Sequence, residues 1–101
     1  MELEPGEVVA LEKPANIRRR FEYAGGRVRV TDRRILLEPH AVNLDSRPVA
    51  IPIAEVARVD TYSQFGVIPT GVRLTLKDGS QQHFIVFGRK QVIDAISRGS
   101  H

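Results

Sequence analysis

Strict alternation of apolar and polar residues is the feature that most restricts what this chain can fold into. In Arg27, Val28, Arg29, Val30 and Thr31 the valines fall on one side and the arginines on the other. Val72, Leu74 and Leu76 alternate in the same way with Arg73, Thr75 and Lys77. Two residues is the repeat of a strand, so each segment predicts a half-buried strand with one apolar face. From residue 7 to residue 87 short β-rich runs alternate with turn residues, without an internal repeat, a low-complexity tract or a linker. One compact all-β unit is expected.

The runs can be placed individually. A first strand region covers residues 8–21, and Pro14 inside it predicts a bend or an edge, because proline brings no N–H to a ladder; two short strands or one broken strand fit. Ala24, Gly25 and Gly26 read as a turn into the alternating segment that begins at Arg27. Thr31 and Asp32 then turn the chain into Arg33, Arg34, Ile35, Leu36 and Leu37, which Pro39 stops. Pro48 and Pro52 bracket a short fourth strand over Val49, Ala50 and Ile51. Residues 54–57 suggest a single helical turn before a fifth strand at residues 58–62.

Asp78-Gly79 announces a hairpin, and its register follows from where apolar residues would point. A two-residue turn would drive Phe84 and Val86 away from the leucine face. A three-residue turn with Gly79 in a left-handed bulge pairs Val72 with Phe84 and Leu74 with Gln82, so that Val72, Leu74, Leu76, Phe84 and Val86 share one side. Arg73 then lies opposite His83 on the outer face. Beyond Gly88, Val92, Ile93 and Ile96 recur at helical spacing and predict one short amphipathic helix, which needs a docking surface to hold its shape.

Composition narrows the function classes. Cysteine is absent, which removes disulfides, thiolate metal sites and a cysteine nucleophile. No apolar run approaches the ~20 residues of a spanning helix, and nothing near Met1 has the form of an export signal. A cytoplasmic location is expected, peripheral at most to the inner membrane face. The formal charge is +3, and 12 of the 15 basic residues are arginines, whose guanidinium forks suit phosphate and carboxylate oxygens. The mild bias is toward anionic partners. Arg98, Gly99, Ser100 and His101 resemble the start of a histidine tag, which leaves residues 1–97 as the expected domain.

The order of these segments resembles the GRAM domain, a PH-like family. Gly25 through His40 is similar to its glycine, strand, Thr-Asn-Arg-Arg-type turn and second apolar strand, here written Thr31-Asp32-Arg33-Arg34. Ile51-Pro52-Ile53-Ala54-Glu55-Val56 is similar to its Ile-Pro-Leu-Glu-Asp-Ile-like segment. The resemblance continues through residues 66–72, Lys77-Asp78-Gly79 and Phe84-Ile85-Val86. It implies a PH-like split β-barrel of six or seven antiparallel strands capped by one C-terminal helix. It also implies a module that binds membrane lipids or proteins. The connection at residues 22–26 is short and carries Glu22, which argues against a specific phosphoinositide site and leaves looser attraction to anionic headgroups.

Two sets of residues are candidate sites. Arg18 and Arg20 share one face of their strand, as do Arg27 and Arg29 of theirs, and together would form an anion- or lipid-headgroup-binding patch; a solvated face relieved by Glu22 or Asp32 is the plainer alternative. Phe65, Val67 and Ile68 lie in a connection too apolar for open solvent. They would fold over the barrel, form a dimer contact or enter a bilayer. Ile85 and Phe87 point opposite to Phe84 and also call for a cover, the helix or a second subunit.

His40 and His83 have no neighbouring carboxylates at metal-ligand spacing, so neither a metal, a cofactor nor an enzyme is expected. A nucleic-acid-binding barrel using the arginine face is the alternative reading, supported by Phe21 and Tyr23 beside Arg20. The leading expectation is a non-enzymatic module that engages a protein partner or an anionic membrane surface, with a homodimer as a further option.

Overall fold

The computed structural model describes residues 1–19, 22–40, 47–64 and 68–99, with the backbone alone at residues 64, 68 and 69. These form strands β1 (Val9–Arg19), β2 (Glu22–Thr31), β3 (Arg34–Pro39) and β4 (Val49–Pro52), a 3-10 turn (Ile53–Glu55), strands β5 (Val56–Gln64), β6 (Ile68–Leu76) and β7 (Gln81–Ile85), and helix α1 (Arg89–Gly99). All seven strands join one antiparallel sheet in the order β4-β3-β2-β1-β7-β6-β5. β1 is thus the hinge between two halves, one made of neighbours in sequence and one reached only through β7.

The open sheet curves around a core to which both halves contribute. Val28, Val30, Ile35, Leu37 and Ile51 come from one half, Val72, Leu74 and Phe84 from the other, and Ile17 from the hinge strand. Helix α1 seals the open end by burying Val92, Ala95 and Ile96 at helical spacing. Ile93, expected on this stripe, is only half-buried, and Ala95 takes its place. No helix among the described residues is long and apolar enough to cross a membrane.

The hairpin between β6 and β7 has the bulged register that burial of Phe84 requires. Val72 pairs with Phe84, Arg73 with His83 and Leu74 with Gln82. Gly79 has φ of 89°, its N–H donates to the Leu76 carbonyl at 2.9 Å, and the Leu76 N–H donates to the Ser80 carbonyl at 2.8 Å. Only glycine takes this left-handed position without strain.

Two expectations about the first hairpin are corrected. β1 runs unbroken through Pro14, which pairs with Arg27. Among the described residues β7 pairs with β1 at Asn16 and Ile17 and not at Pro14, so on that flank of β1 a missing N–H is tolerated. Gly25 and Gly26 do not form the turn; they lie inside β2, opposite Asn16 and Ala15. A Cβ on Gly26 would fall 2.3 Å from the Glu38 carbonyl oxygen and 2.7 Å from Pro39 Cα. That glycine serves the close approach of β3.

Residues 1–8 carry no periodic pattern, yet they lie across the outer face of β2 and β3. Thr31 Oγ1 accepts the amides of Arg33 and Arg34 at 3.0 and 2.8 Å and donates to Glu7 Oε2 at 2.6 Å. Arg34 bonds both Glu7 oxygens, at 2.9 and 2.6 Å, and the Val8 amide donates to Asp32 Oδ1 at 2.9 Å. The Thr-Asp-Arg-Arg turn is therefore a clasp for the N-terminal segment. The Arg34 guanidinium holds the Glu7 carboxyl far below the usual carboxylate range, outweighing its burial.

Candidate binding seam between β1 and β7

Among the described residues β1 and β7 are paired at two positions, Asn16 with Ile85 and Ile17 with Phe84. On each side of this short bridge the outer face opens into a groove. Toward the end of β1 lies a polar groove of about 360 Å³ lined by Arg18, Gln81, Gln82 and His83. Toward the start of β1 lies a more apolar one of about 240 Å³, whose lining includes Pro14, Asn16, Gly25, His40, Ile85 and Phe87. The non-local pairing of the two halves of the sheet thus leaves a seam with chemically different ends.

At the polar end, cross-strand register assembles a row. Asp60 pairs with Arg73, Arg73 with His83, and Arg18 with Tyr23. Extending the β1–β7 register by one residue sets Arg18 opposite His83. The Tyr62 ring lies over Gly71, where a Cβ would meet it at 2.6 Å, and meets the His83 ring edge-on with centroids 5.7 Å apart. Its hydroxyl is 3.0 Å from that of Tyr23. Burial pushes the Tyr62 hydroxyl up, aided by the hydrogen bond with Tyr23.

Burial also lowers the His83 imidazole below its ordinary value, and the nearby charges of Arg18 and Arg73 add to this against the opposing pull of Asp60. Two guanidinium groups therefore bear on a neutral imidazole beside an open polar groove. Asp60, bonded by both Arg73 nitrogens Nε and Nη2, is held below the usual carboxylate range. Arg73 is committed to that pair. Arg18 and His83 face the groove.

The apolar end is built differently. A Cβ on Gly25 would meet His40 Cδ2 at 3.7 Å and Asn16 Oδ1 at 3.8 Å, both ordinary contacts. Unlike Gly26, this glycine is not demanded by packing, and its missing side chain leaves the groove floor open. Ile85 is buried, whereas Phe87 at the rim is 80% exposed. The cover expected over both residues is thus supplied to Ile85 alone.

The four arginines expected to share a patch are divided. Arg20 lies outside the described residues. Arg29 is buried against Glu38, with Nε 2.5 Å from Oε1, and also donates to the Met1 carbonyl at 2.6 Å. Arg27 is half-exposed and paired with Glu12 at 3.2 Å and Glu38 at 3.5 Å. Burial would raise the Glu38 carboxyl, but Arg29 and the Met1 ammonium outweigh it and bring it below the usual range. Arg18 lies four residues along β1 from the partner of Arg27, a separation of about 13 Å at strand rise. Phe65 and Val67 fall outside the described residues, and of Ile68 only the backbone is described, paired with Gln64.

The seam residues to which sequence reading gives no site role are Tyr62, Gln81 and Gln82, while Tyr23 reads as an aromatic beside Arg20 and Gly25 as part of a turn. No group of three or more His, Cys, Asp or Glu residues that could hold a metal occurs among the described residues. His40 and His83 line separate grooves.

The architecture can be compared with known proteins. No family model and no curated protein sequence matches the chain. Among solved structures, the C-terminal domain of an unknown protein from Leishmania infantum superimposes with a TM-score of 0.80 at 11% identity, over 96% of this chain and 88% of that one. The Vps36 N-terminal PH domain superimposes with a TM-score of 0.68 at 16% identity, over 97% of this chain and 80% of that one. The fold is PH-like. Identities this low carry the architecture of a PH-like domain and no more, so its ligand has to be argued from the side chains.

Proposed function

We propose that the chain is a non-enzymatic PH-like binding module of the GRAM type that engages an anionic partner through the polar end of the β1–β7 seam. The observation that carries this is the placement of Arg18 and His83 on opposite walls of a groove between parting strands, with the Gln81 and Gln82 amides beside them. Guanidinium, amide and imidazole N–H groups are donors suited to carboxylate or phosphate oxygens. Arg27 and Arg29 have a supporting role here, since they lie outside the lining of this groove, beside Glu12 and Glu38. A protein segment and an anionic membrane surface are both partners of the right charge.

The test is binding to two anionic probes at low salt: vesicles of phosphatidylcholine with or without phosphatidylserine, and an immobilised glutamate-rich peptide. Binding to at least one probe is expected, weakening as salt rises and falling about tenfold or more in Arg18→Glu, since a hydrogen bond to a charged group contributes about 1.5–3 kcal/mol. Binding to neither, or equal binding by Arg18→Glu, overturns the reading.

A further inference from the structure

We infer that the seam receives an extended acidic segment of a partner protein, with a carboxylate in the polar groove and an apolar side chain four residues away in the groove beside Phe87. This rests on the anionic-partner reading above and deepens it by naming the partner's chemistry.

Geometry supplies the spacing. Arg18 borders one groove and Pro14 the other, four residues apart on the same face of the same strand. An extended segment lying along β1 covers that distance, about 13 Å, in four residues of its own. Its residues i and i+4 point to the same side, so both reach the seam. A spacing of three would turn one of them away.

The apolar groove is suited to a side chain rather than to a flat surface. Its floor is the bare backbone of Gly25, its opening is on the scale of one large apolar residue, and Phe87 stands exposed at its rim. A flat bilayer surface would reach Phe87 at the rim but not the recess behind it.

Charge selects the partner. Arg27, Arg29 and Arg73 on this face are paired with Glu12, Glu38 and Asp60, which leaves the positive excess of the face at the polar groove, where Arg18 stands with no acidic residue among the described lining residues. Near Phe87, Lys13 Nζ approaches Gly88, at 3.2 Å from where its Cβ would stand. A second copy docking by the same face would set like charges together, whereas an acidic segment is complementary.

The experiment selects random linear peptides on the immobilised protein, then measures the selected peptides and designed ones by fluorescence anisotropy. Enrichment of Asp or Glu four positions from an aromatic or large aliphatic residue is expected. A peptide with Glu and Phe at that spacing should bind at least tenfold more tightly than versions with spacing three, with Lys for Glu, or with Ser for Phe. Gly25→Leu, which fills the groove floor, should abolish the dependence on Phe while leaving the dependence on Glu. Phe87→Ser, on an exposed position, should weaken binding severalfold without touching the core. Acidic peptides binding alike whatever their spacing or apolar residue would overturn the two-point segment but leave the anionic-partner reading standing. Binding to anionic vesicles with no peptide selected would do the same. Failure with both vesicles and peptides removes both.

Discussion

The neighbouring glycines of β2 offer a contrast in which one methyl group should have opposite effects at adjacent positions. In Gly26→Ala the new Cβ falls 2.3 Å from the Glu38 carbonyl oxygen and 2.7 Å from Pro39 Cα, both backbone atoms of β3 that cannot swing aside. Relief requires β2 and β3 to part, at the overpacking cost of ~1–3 kcal/mol. In Gly25→Ala the nearest atoms are 3.7 and 3.8 Å away on the side chains of His40 and Asn16. With no positive φ at either glycine, reduced freedom of the unfolded chain should make Gly25→Ala neutral or stabilising by up to ~1 kcal/mol. Urea and thermal unfolding monitored by circular dichroism would measure both. At about 4–8 °C per kcal/mol for a domain of this size, Gly26→Ala should lower the Tm by several to about 20 °C, and Gly25→Ala should hold or raise it. Equal destabilisation by both, or tolerance of both, would refute the placement of these glycines inside the strand against β3.

Phe84 is fully buried between both halves of the sheet, so Phe84→Ala should cost ~3–5 kcal/mol by chemical denaturation, a large part of a domain's stability. Arg29→Ala leaves Glu38 to the Met1 ammonium at 3.0 Å and Arg27 at 3.5 Å, so it should cost about 1.5–3 kcal/mol, the loss of one hydrogen bond between charged groups, with partial recovery in Arg29→Ala combined with Glu38→Leu, measured by the same denaturation. Glu7 has its folded-state pKa depressed by Arg34, so the folded protein binds fewer protons there than the unfolded chain. Its contribution is present above the ordinary carboxylate range and is lost as pH falls through the depressed value; Glu7→Gln should flatten the acid limb of a stability-against-pH curve.

Much of the sheet was legible because burial enforces register locally. The β6–β7 hairpin could be read to the residue, since any other turn would have pointed Phe84 and Val86 away from Val72 and Leu74. The same logic failed at Gly25 and Gly26, where paired glycines suggest a turn but the decisive fact is the backbone of β3, an element later in the chain. Pro14 was rightly read as an edge and wrongly as a break, because β7, which leaves that edge open, arrives from the far end of the sequence. Residues 1–8 were silent for another reason. They hold on through Glu7, Arg34, Thr31 and Asp32, polar contacts that leave no periodic trace.

The arginines show how a site can be half-read. Alternation placed Arg27 and Arg29 on the outer face correctly, but their partner Glu38 becomes visible only once β2 and β3 are in register, Arg27 opposite Glu38. Arg18 could not be told apart from them by sequence. What distinguishes it is the two-residue bridge of β1 to β7, which ends beside it and opens the groove toward His83.

The most direct measurement follows backbone amide shifts by nuclear magnetic resonance while an acidic, Phe-containing peptide is titrated into isotope-labelled protein. Saturable changes running along the seam through Arg18, His83, Gly25, Ile85 and Phe87 are the predicted result. Changes confined to β3, β4 or the outer surface of α1, with the seam unmoved, would contradict the account.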